Sequence, residues 1–430
     1  MRRLAREIFD HSLAECSIPT AFGRHLRYGN GNLHIGEEIY ELSTFARVVA
    51  ISIGKAGHSM AEALCNIAPV GISGIVACPT TPPSPVVGFQ YFHGGHPLPN
   101  QDSLRAGSAI LEFLVALPER SLVLFLISGG ASAVAELPIS PALTLSDVVE
   151  TYRALVHSGA PIAEINAIRK HLSAIKGGRM AQAATAATQV SLLISDVPDD
   201  ALDALASGPT LPDSTTVSDC YAIAERHDMR SHFPEHVRAM FDGKNLQETP
   251  KQGDPAFRNC RYITILSNQT AVSAAAERAT LHGFAATIDN SCDDWDYAKA
   301  ADYLLRRLRE LRQPSTPVCL ISGGEVTVTV GDKSGAGGRN QQFALYCAQE
   351  IEGEPITVLS AGTDGIDGNS PAAGAVVDGS TVSRARERGL DPAAALSHFD
   401  AFPILESIGD AIVIGPTGNN VRDLRILLAY

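Results

Sequence analysis

Two cations and one carboxylate in this chain stand next to glycines, where a backbone can close on a small anion, and a second carboxylate follows a predicted strand. The first cation is Arg339, which ends the run Gly331-Asp332-Lys333-Ser334-Gly335-Ala336-Gly337-Gly338-Arg339. Four glycines in the first eight of those positions let the chain approach a ligand and turn several N–H groups toward it. Arg339 adds a planar forked donor suited to phosphate or carboxylate. The second cation is Lys55, in Gly54-Lys55-Ala56 at a predicted strand end. A lysine at a helix start opposes the helix dipole, which favours a role facing a ligand. The loop is not of the Walker A type, because Ala56 stands where Ser or Thr is needed and the upstream Gly is absent.

Ser128-Gly129-Gly130-Ala131-Ser132 follows a buried apolar run and offers small residues and free N–H groups to an anion. It is neither the Gly-x-Ser-x-Gly elbow of hydrolases nor a dinucleotide fingerprint. The first carboxylate is Asp196, in Ser195-Asp196-Val197-Pro198. From a strand end it can hold Mg²⁺ or accept a hydroxyl proton. The second is Asp364, within Ala361-Gly362-Thr363-Asp364-Gly365-Ile366-Asp367-Gly368, which reads as a metal loop without the EF-hand spacing. Arg169 and Lys170, with Lys176 and Arg179 close behind, concentrate positive charge and supply the field an anion needs.

These residues need a scaffold that brings strand ends together. Arg47–Ile53, Ser121–Ile127 and residues 189–194 are short, nearly continuous apolar runs, each followed by one of the polar loops above. Such runs predict a mostly parallel, Rossmann-like sheet with helices on both faces, with ligands at the carboxyl ends of its strands. Residues 242–258 are polar with Gly and Pro, and predict a boundary between domains at 1–245 and 255–430. A second alternating pattern then runs to the end of the chain and predicts a smaller α/β domain. Residues 325–330 read as a strand, with a hairpin around Gly331 and a helix over 340–352, so this second sheet is expected to be mixed.

Composition excludes several classes. Hydrophobic residues make up 45%, charged residues 19%, and the net charge is −13. That acidity argues against nucleic acid as a partner. Eight scattered cysteines with no Cys-x-x-Cys pair suggest neither zinc nor a disulfide framework, and fit reduced thiols in the cytoplasm. No apolar run is long enough to span a membrane, and residues 1–16 read as an amphipathic helix rather than a secretory signal.

A set of short motifs occurs in order: Gly54-Lys55-Ala56, Gly95-His96-Pro97-Leu98-Pro99, Ile127-Ser128-Gly129-Gly130, Arg169-Lys170-His171-Leu172-Ser173, Ile194-Ser195-Asp196-Val197, Ser207-Gly208-Pro209-Thr210, Gly323-Gly324-Glu325, Gly337-Gly338-Arg339-Asn340-Gln341, Ala361-Gly362-Thr363-Asp364-Gly365 and Gly415-Pro416-Thr417-Gly418. Together they resemble the glycerate 2-kinase family, with a large N-terminal domain and a C-terminal MOFRL domain at about 316–425. The resemblance implies transfer of the ATP γ-phosphoryl to the 2-hydroxyl of glycerate, with Mg²⁺, in a cleft between the domains. It also implies Lys55 and Arg339 as catalytic residues. On that reading the two cations neutralise the transferring phosphoryl or hold the substrate carboxylate. Asp196 and Asp364 hold Mg²⁺, or one of them takes the hydroxyl proton. Ser128, Gly129, Gly130 and Arg169 bind anionic groups, and Glu325 and Asn340 bind acceptor hydroxyls. Partners are then ATP and a small hydroxy acid, and a homodimer stays open. The chain departs from the family pattern at Ala131, Gln342, Asn369-Ser370-Pro371, Asn419 and Arg422, so a kinase for a related hydroxy acid is the alternative. A binding regulator on the same fold is a further one.

Overall fold

The apolar runs form strands buried on both faces. In Arg47–Ile53 (β1) and Ser121–Ile127 (β4), Val49, Ile51, Ile53, Val123, Phe125 and Ile127 share one core cluster. The alternate residues Ala50, Ser52, Leu122, Leu124 and Leu126 are equally buried on the opposite face. Between these two in the chain come Ser73–Cys78 (β2) and Phe89–His93 (β3), and after them Thr188–Ile194 (β5) and Cys260–Leu266 (β6). The spatial order is β3-β2-β1-β4-β5-β6, and the β1–β2, β2–β3, β1–β4 and β4–β5 pairs are parallel. That is the doubly wound order, whose direction of winding reverses between β1 and β4. The structure is a computed structural model that describes residues 1–69, 71–80, 82–197, 199–312, 316–330 and 335–430.

Helices Gly57–Ile67 and Gln101–Val115 follow β1 and β3. The second starts at a capping box, in which Asn100 accepts from the Ser103 N–H and Ser103 Oγ accepts from the Asn100 N–H. Beyond β4 in the chain, the buried side chains of Glu136 and Lys176 form an ion pair, and the Tyr152 hydroxyl donates to the same Glu136 carboxylate. Ser173 Oγ completes the set at 2.5 Å from Glu136 Oε1. Because both charges are only 2% exposed, Lys176→Met strands an unpaired carboxylate. Chemical denaturation is expected to show a loss of about 3–5 kcal/mol for that variant, and a loss below about 1 kcal/mol would contradict this reading of the pair.

The chain divides into two compact units, Phe22–Ile265 and Met1–Ala21 with Leu266–Tyr430. This differs from the division expected at 1–245 and 255–430 in two places. Residues 246–265 stay with the first unit, where Arg179 Nη2 donates to the carbonyls of Gln247 (3.1 Å) and Glu248 (3.2 Å), and β6 joins the sheet edge beside β5. The N-terminal helix α1 (Arg2–Glu15) belongs to the second unit. Its apolar stripe Ala5, Ile8 and Phe9 packs with Val272 and Ala275 of helix α2 (Asn268–Leu281).

The second unit carries a mixed sheet of Ala285–Ile288 (β7), Val318–Gly323 (β8), Ile356–Gly362 (β9), Gly374–Asp378 (β10), Ala411–Ile412 (β11) and Asp423–Ala429 (β12), in the order β7-β8-β12-β9-β10-β11. It is mixed because the final strand β12 inserts antiparallel between β8 and β9. The expected strand at 325–330 is absent. Both edges of β8 are already taken, and the segment keeps one bridge, Thr327 to Asp296. The hairpin turn expected around Gly331 falls at residues 331–334, outside the described residues. The helix that follows, α3 (Arg339–Glu350), begins one residue earlier than expected.

Candidate active site

In the first unit the loops after β1 and β4 meet at the point where the winding reverses. The Lys55 N–H donates to the Gly129 carbonyl (2.9 Å), the Ala56 N–H to Ser128 Oγ (3.1 Å) and the Ser128 N–H to the Ile53 carbonyl (3.1 Å). Ser128 is buried, so its hydroxyl joins the two loops rather than standing open to a ligand. Gly54 has φ +120°, a conformation that side chains disfavour, and it directs the chain so that Lys55 is exposed. Among the described residues the Lys55 ammonium has no hydrogen-bond or ion-pair partner, and neither the Gly129 nor the Gly130 N–H has an acceptor.

Three side chains gather on this glycine pair. A Cβ at Gly129 would lie 1.9 Å from Asp196 Oδ2. A Cβ at Gly130 would lie 2.9 Å from His96 Cδ2 and 3.1 Å from Lys55 Cγ. The absent side chains are therefore what lets Asp196, His96 and Lys55 converge. Burial, and then the Lys55 charge, hold the His96 imidazole below its ordinary range. A free cation, two unclaimed N–H groups and a carboxylate form a receptor for an anion with a bound metal. Arg169 lies apart from this group in its contacts. Its guanidinium stacks 4.3 Å over the Tyr152 ring, against the Glu136–Lys176 pair.

In the second unit Arg339 sits at the start of α3 and is gripped by two carboxylates. Asp423, at the head of β12, takes one edge: Nε to Oδ2 at 2.6 Å and Nη2 to Oδ1 at 3.0 Å. Glu325 takes the outer edge: Nη1 to Oε2 at 2.9 Å, with Nη2 2.7 Å from Oε1. Opposed by burial but held by Asp423 and Glu325, the guanidinium keeps its proton even more firmly than usual. Arg425, fully buried on the same strand, lies 3.8 Å from Asp423 and donates to the Gly323 and Gly324 carbonyls. Arg422 pairs with Asp293, whose Oδ1 accepts the Glu325 N–H at 3.0 Å.

Asn340, expected at acceptor hydroxyls, faces inward. It is 1% exposed, accepts from Ser360 Oγ at 2.7 Å and donates to Asp367 Oδ1 at 3.3 Å. Asp367 caps α3 by accepting the N–H groups of Asn340 (3.1 Å) and Gln341 (2.9 Å). Asp364 lines a cavity of about 700 Å³ with Arg339, Asp367, Gly337, Val328, Ile366 and Phe399. A Cβ at Gly362 would meet Asp364 Oδ1 at 3.0 Å and Asp423 Oδ1 at 3.5 Å, so this glycine lets two carboxylates approach. Among the described residues no group of three or more His, Cys, Asp or Glu side chains could by itself hold a metal. A Mg²⁺ bound to Asp196 or Asp364 would draw its remaining ligands from water and phosphate, which is the habit of that ion.

Burial pushes the Asp367 carboxyl up to about 6, against the pull of the Gln341 and Asn340 N–H groups. The unfolded value is about 4, so the native state holds this proton more tightly. The stability it contributes is complete below about pH 4 and is lost as pH rises through about 6. Relative to Asp367→Asn, the parent protein should therefore gain stability on acidification across that window, measured as the difference in urea midpoints. A difference that does not vary with pH would rule this out.

Asp423, Arg425, Asp367 and His96 are the participants that sequence reasoning passed over as site residues. The sequence did carry a signal for two of them. Asp423 and Arg425 are opposite charges two apart in an otherwise apolar strand, where neither is stable without a buried partner.

Comparison with known proteins gives this geometry its class. Residues 4–242 match a family described as a domain of unknown function, DUF4147, and residues 318–423 match the MOFRL family. A D-glycerate 2-kinase of Thermotoga maritima is 37% identical over 88% of this chain and 90% of its own length. A putative hydroxypyruvate reductase of Agrobacterium vitis is 38% identical over 89% of this chain and 87% of its own. The crystal structure of a Thermotoga maritima glycerate kinase superimposes with a TM-score of 0.87 at 35% identity, covering 100% of this chain and 99% of that one. The protein is thus a kinase of two α/β domains. It belongs to the glycerate 2-kinase family.

Proposed function

We propose that the protein transfers the γ-phosphoryl of ATP to the 2-hydroxyl of glycerate, giving 2-phosphoglycerate and ADP, with Mg²⁺ and in the cytoplasm. The observation that carries this reading is the convergence of Lys55, unpartnered among the described residues, with the Gly129 and Gly130 N–H groups and Asp196 at the winding reversal of the first sheet. Phosphoryl transfer asks for positioning and charge neutralisation, and those groups offer both. The acceptor oxygen forms a bond to the γ-phosphorus, the bond to the ADP oxygen breaks, and the hydroxyl proton passes to Asp196. Lys55 neutralises the transferring group. Arg339 acts on the phosphoryl or on the acceptor carboxylate. Asp196 or Asp364 would hold Mg²⁺, which would supply charge neutralisation for the phosphate oxygens of the nucleotide. The reductase name carried by one relative finds no support in the β1 loop, where Gly54-Lys55-Ala56-Gly57 lacks the spaced glycines of a dinucleotide site.

A coupled ADP-release assay with Mg²⁺-ATP against a panel of small hydroxy acids tests the proposal, with the product identified afterwards. D-Glycerate is expected to support turnover and yield the 2-phosphate. Turnover with a different acid alone would keep the reaction and reassign the acceptor. No ADP from any acceptor would defeat the proposal.

A further inference from the structure

We propose that the outer N–H edge of Arg339 is a seat for a substrate oxyanion, that Glu325 fills this seat until the substrate arrives, and that Asp423 keeps the guanidinium aimed meanwhile. The inference rests on the proposed role of Arg339 in the kinase reaction and goes beyond it by assigning different tasks to its two carboxylates.

The two grips are unequal. Asp423 is 1% exposed at the head of the central strand β12, and its carbonyl accepts from Asn268 Nδ2 at 3.0 Å. It binds the Nε–Nη2 edge with two hydrogen bonds and has Arg425 behind it. Moving it would mean moving the sheet. Glu325 sits in the loop after β8, with its side chain 30% exposed, and binds the Nη1–Nη2 edge with one oxygen on each nitrogen. Two carboxylates on one guanidinium repel each other. Burial and the Asp423 charge together raise the Glu325 carboxyl above its ordinary range, so its ionised form is held at a cost. A substrate carboxylate or phosphoryl group offers the same pair of oxygens to the same edge. The tethered Glu325 is the partner that can yield to it, because its side chain already reaches solvent. Glu325 is on this view a resident competitor rather than a ligand for acceptor hydroxyls, the role its position in the sequence suggests.

The test is Glu325→Gln, which keeps the shape and removes the charge. KM is measured for D-glycerate and for Mg²⁺-ATP. Calorimetric Kd values for D-glycerate and for Mg²⁺-ADP are measured without turnover. Removing the competitor is expected to lower KM and Kd for one of the two ligands by about threefold or more, the scale of a partly exposed ion pair. A gain confined to D-glycerate assigns the seat to the acceptor carboxylate, and a gain confined to the nucleotide assigns it to a phosphoryl group. The gain must disappear when the seat is removed. Arg339→Ala alone would leave Asp423 buried without its cation, so the reference background is the double variant Arg339→Ala/Asp423→Asn. If Glu325→Gln fails to fold, Glu325→Asp is used, whose shorter side chain can no longer span to both nitrogens. Unchanged or weakened binding of both ligands in the folded variant overturns the proposal, as does an equal gain in the background without Arg339. Failure of the underlying reading looks different: undiminished turnover in the Arg339→Ala/Asp423→Asn protein would remove Arg339 from the reaction altogether.

Discussion

Lys55→Ala is expected to fold as well as the parent protein and to lose about a thousandfold in turnover, the scale seen when a cation on a transferring phosphoryl group is removed. Both halves follow from the same facts. Among the described residues the ammonium makes no ion pair or hydrogen bond, and the residue is exposed, so no polar partner is left stranded by its removal. It precedes the helix Gly57–Ile67, where a cation opposes the dipole, and its removal is expected to change stability by less than about 1 kcal/mol, in the favourable direction. A thermal melt and the ADP-release assay on the same preparation read both quantities. Lys55→Arg should recover little, because the broad planar guanidinium cannot replace the compact point charge of an ammonium. A Lys55→Ala protein that melts normally and turns over at the parent rate would move the chemistry away from the β1 loop.

How much of this could be read from residues alone depended on the range of the interaction concerned. The first sheet was legible because each strand is a short apolar run buried on both faces, and Lys55, Gly129 and Asp196 were legible because they stand one to three residues past such runs. The strand expected at 325–330 failed because alternation reports a side-chain pattern and not a free edge to pair with. The edges of β8 go to β7 and to β12, a segment about a hundred residues later in the chain. The polar stretch at 242–258 looked like a linker because its anchors are distant in sequence: Arg179 holds its carbonyls, and the Pro250 carbonyl accepts the Asp213 N–H at 3.0 Å. The helix at residues 2–15 showed which of its faces would be buried but not against which unit. Arg339 was visible, yet its meaning changes once Asp423, 84 positions away, is found to hold it. A guanidinium that looked open to a ligand turns out to be aimed by one carboxylate and covered by another.

Gly54→Ala should unfold what Lys55→Ala leaves intact. At φ +120° an L side chain is strained, and a Cβ there would fall 2.4 Å from Ser128 Oγ and 2.5 Å from the Ser128 carbonyl oxygen. The second contact is with backbone, which can retreat only by breaking the bonds that join the β1 and β4 loops. Strain and overpacking together are expected to cost about 3 kcal/mol or more, with activity lost alongside. Gly23→Ala, in the helix Ile18–His25 with nothing within 4 Å of its new Cβ, is the control and should be neutral or slightly stabilising. Gly129→Ala separates fold from chemistry. Its Cβ would collide at 1.9 Å with Asp196 Oδ2, a side-chain atom rather than backbone. That variant should therefore melt near the parent temperature, yet turn over poorly, because the carboxylate proposed to take the hydroxyl proton has been pushed off the glycine pair. A Gly129→Ala protein with full activity would show that Asp196 need not rest there for the reaction. A Gly54→Ala protein as stable as the parent would show that the two loops are not locked together as their hydrogen bonds indicate.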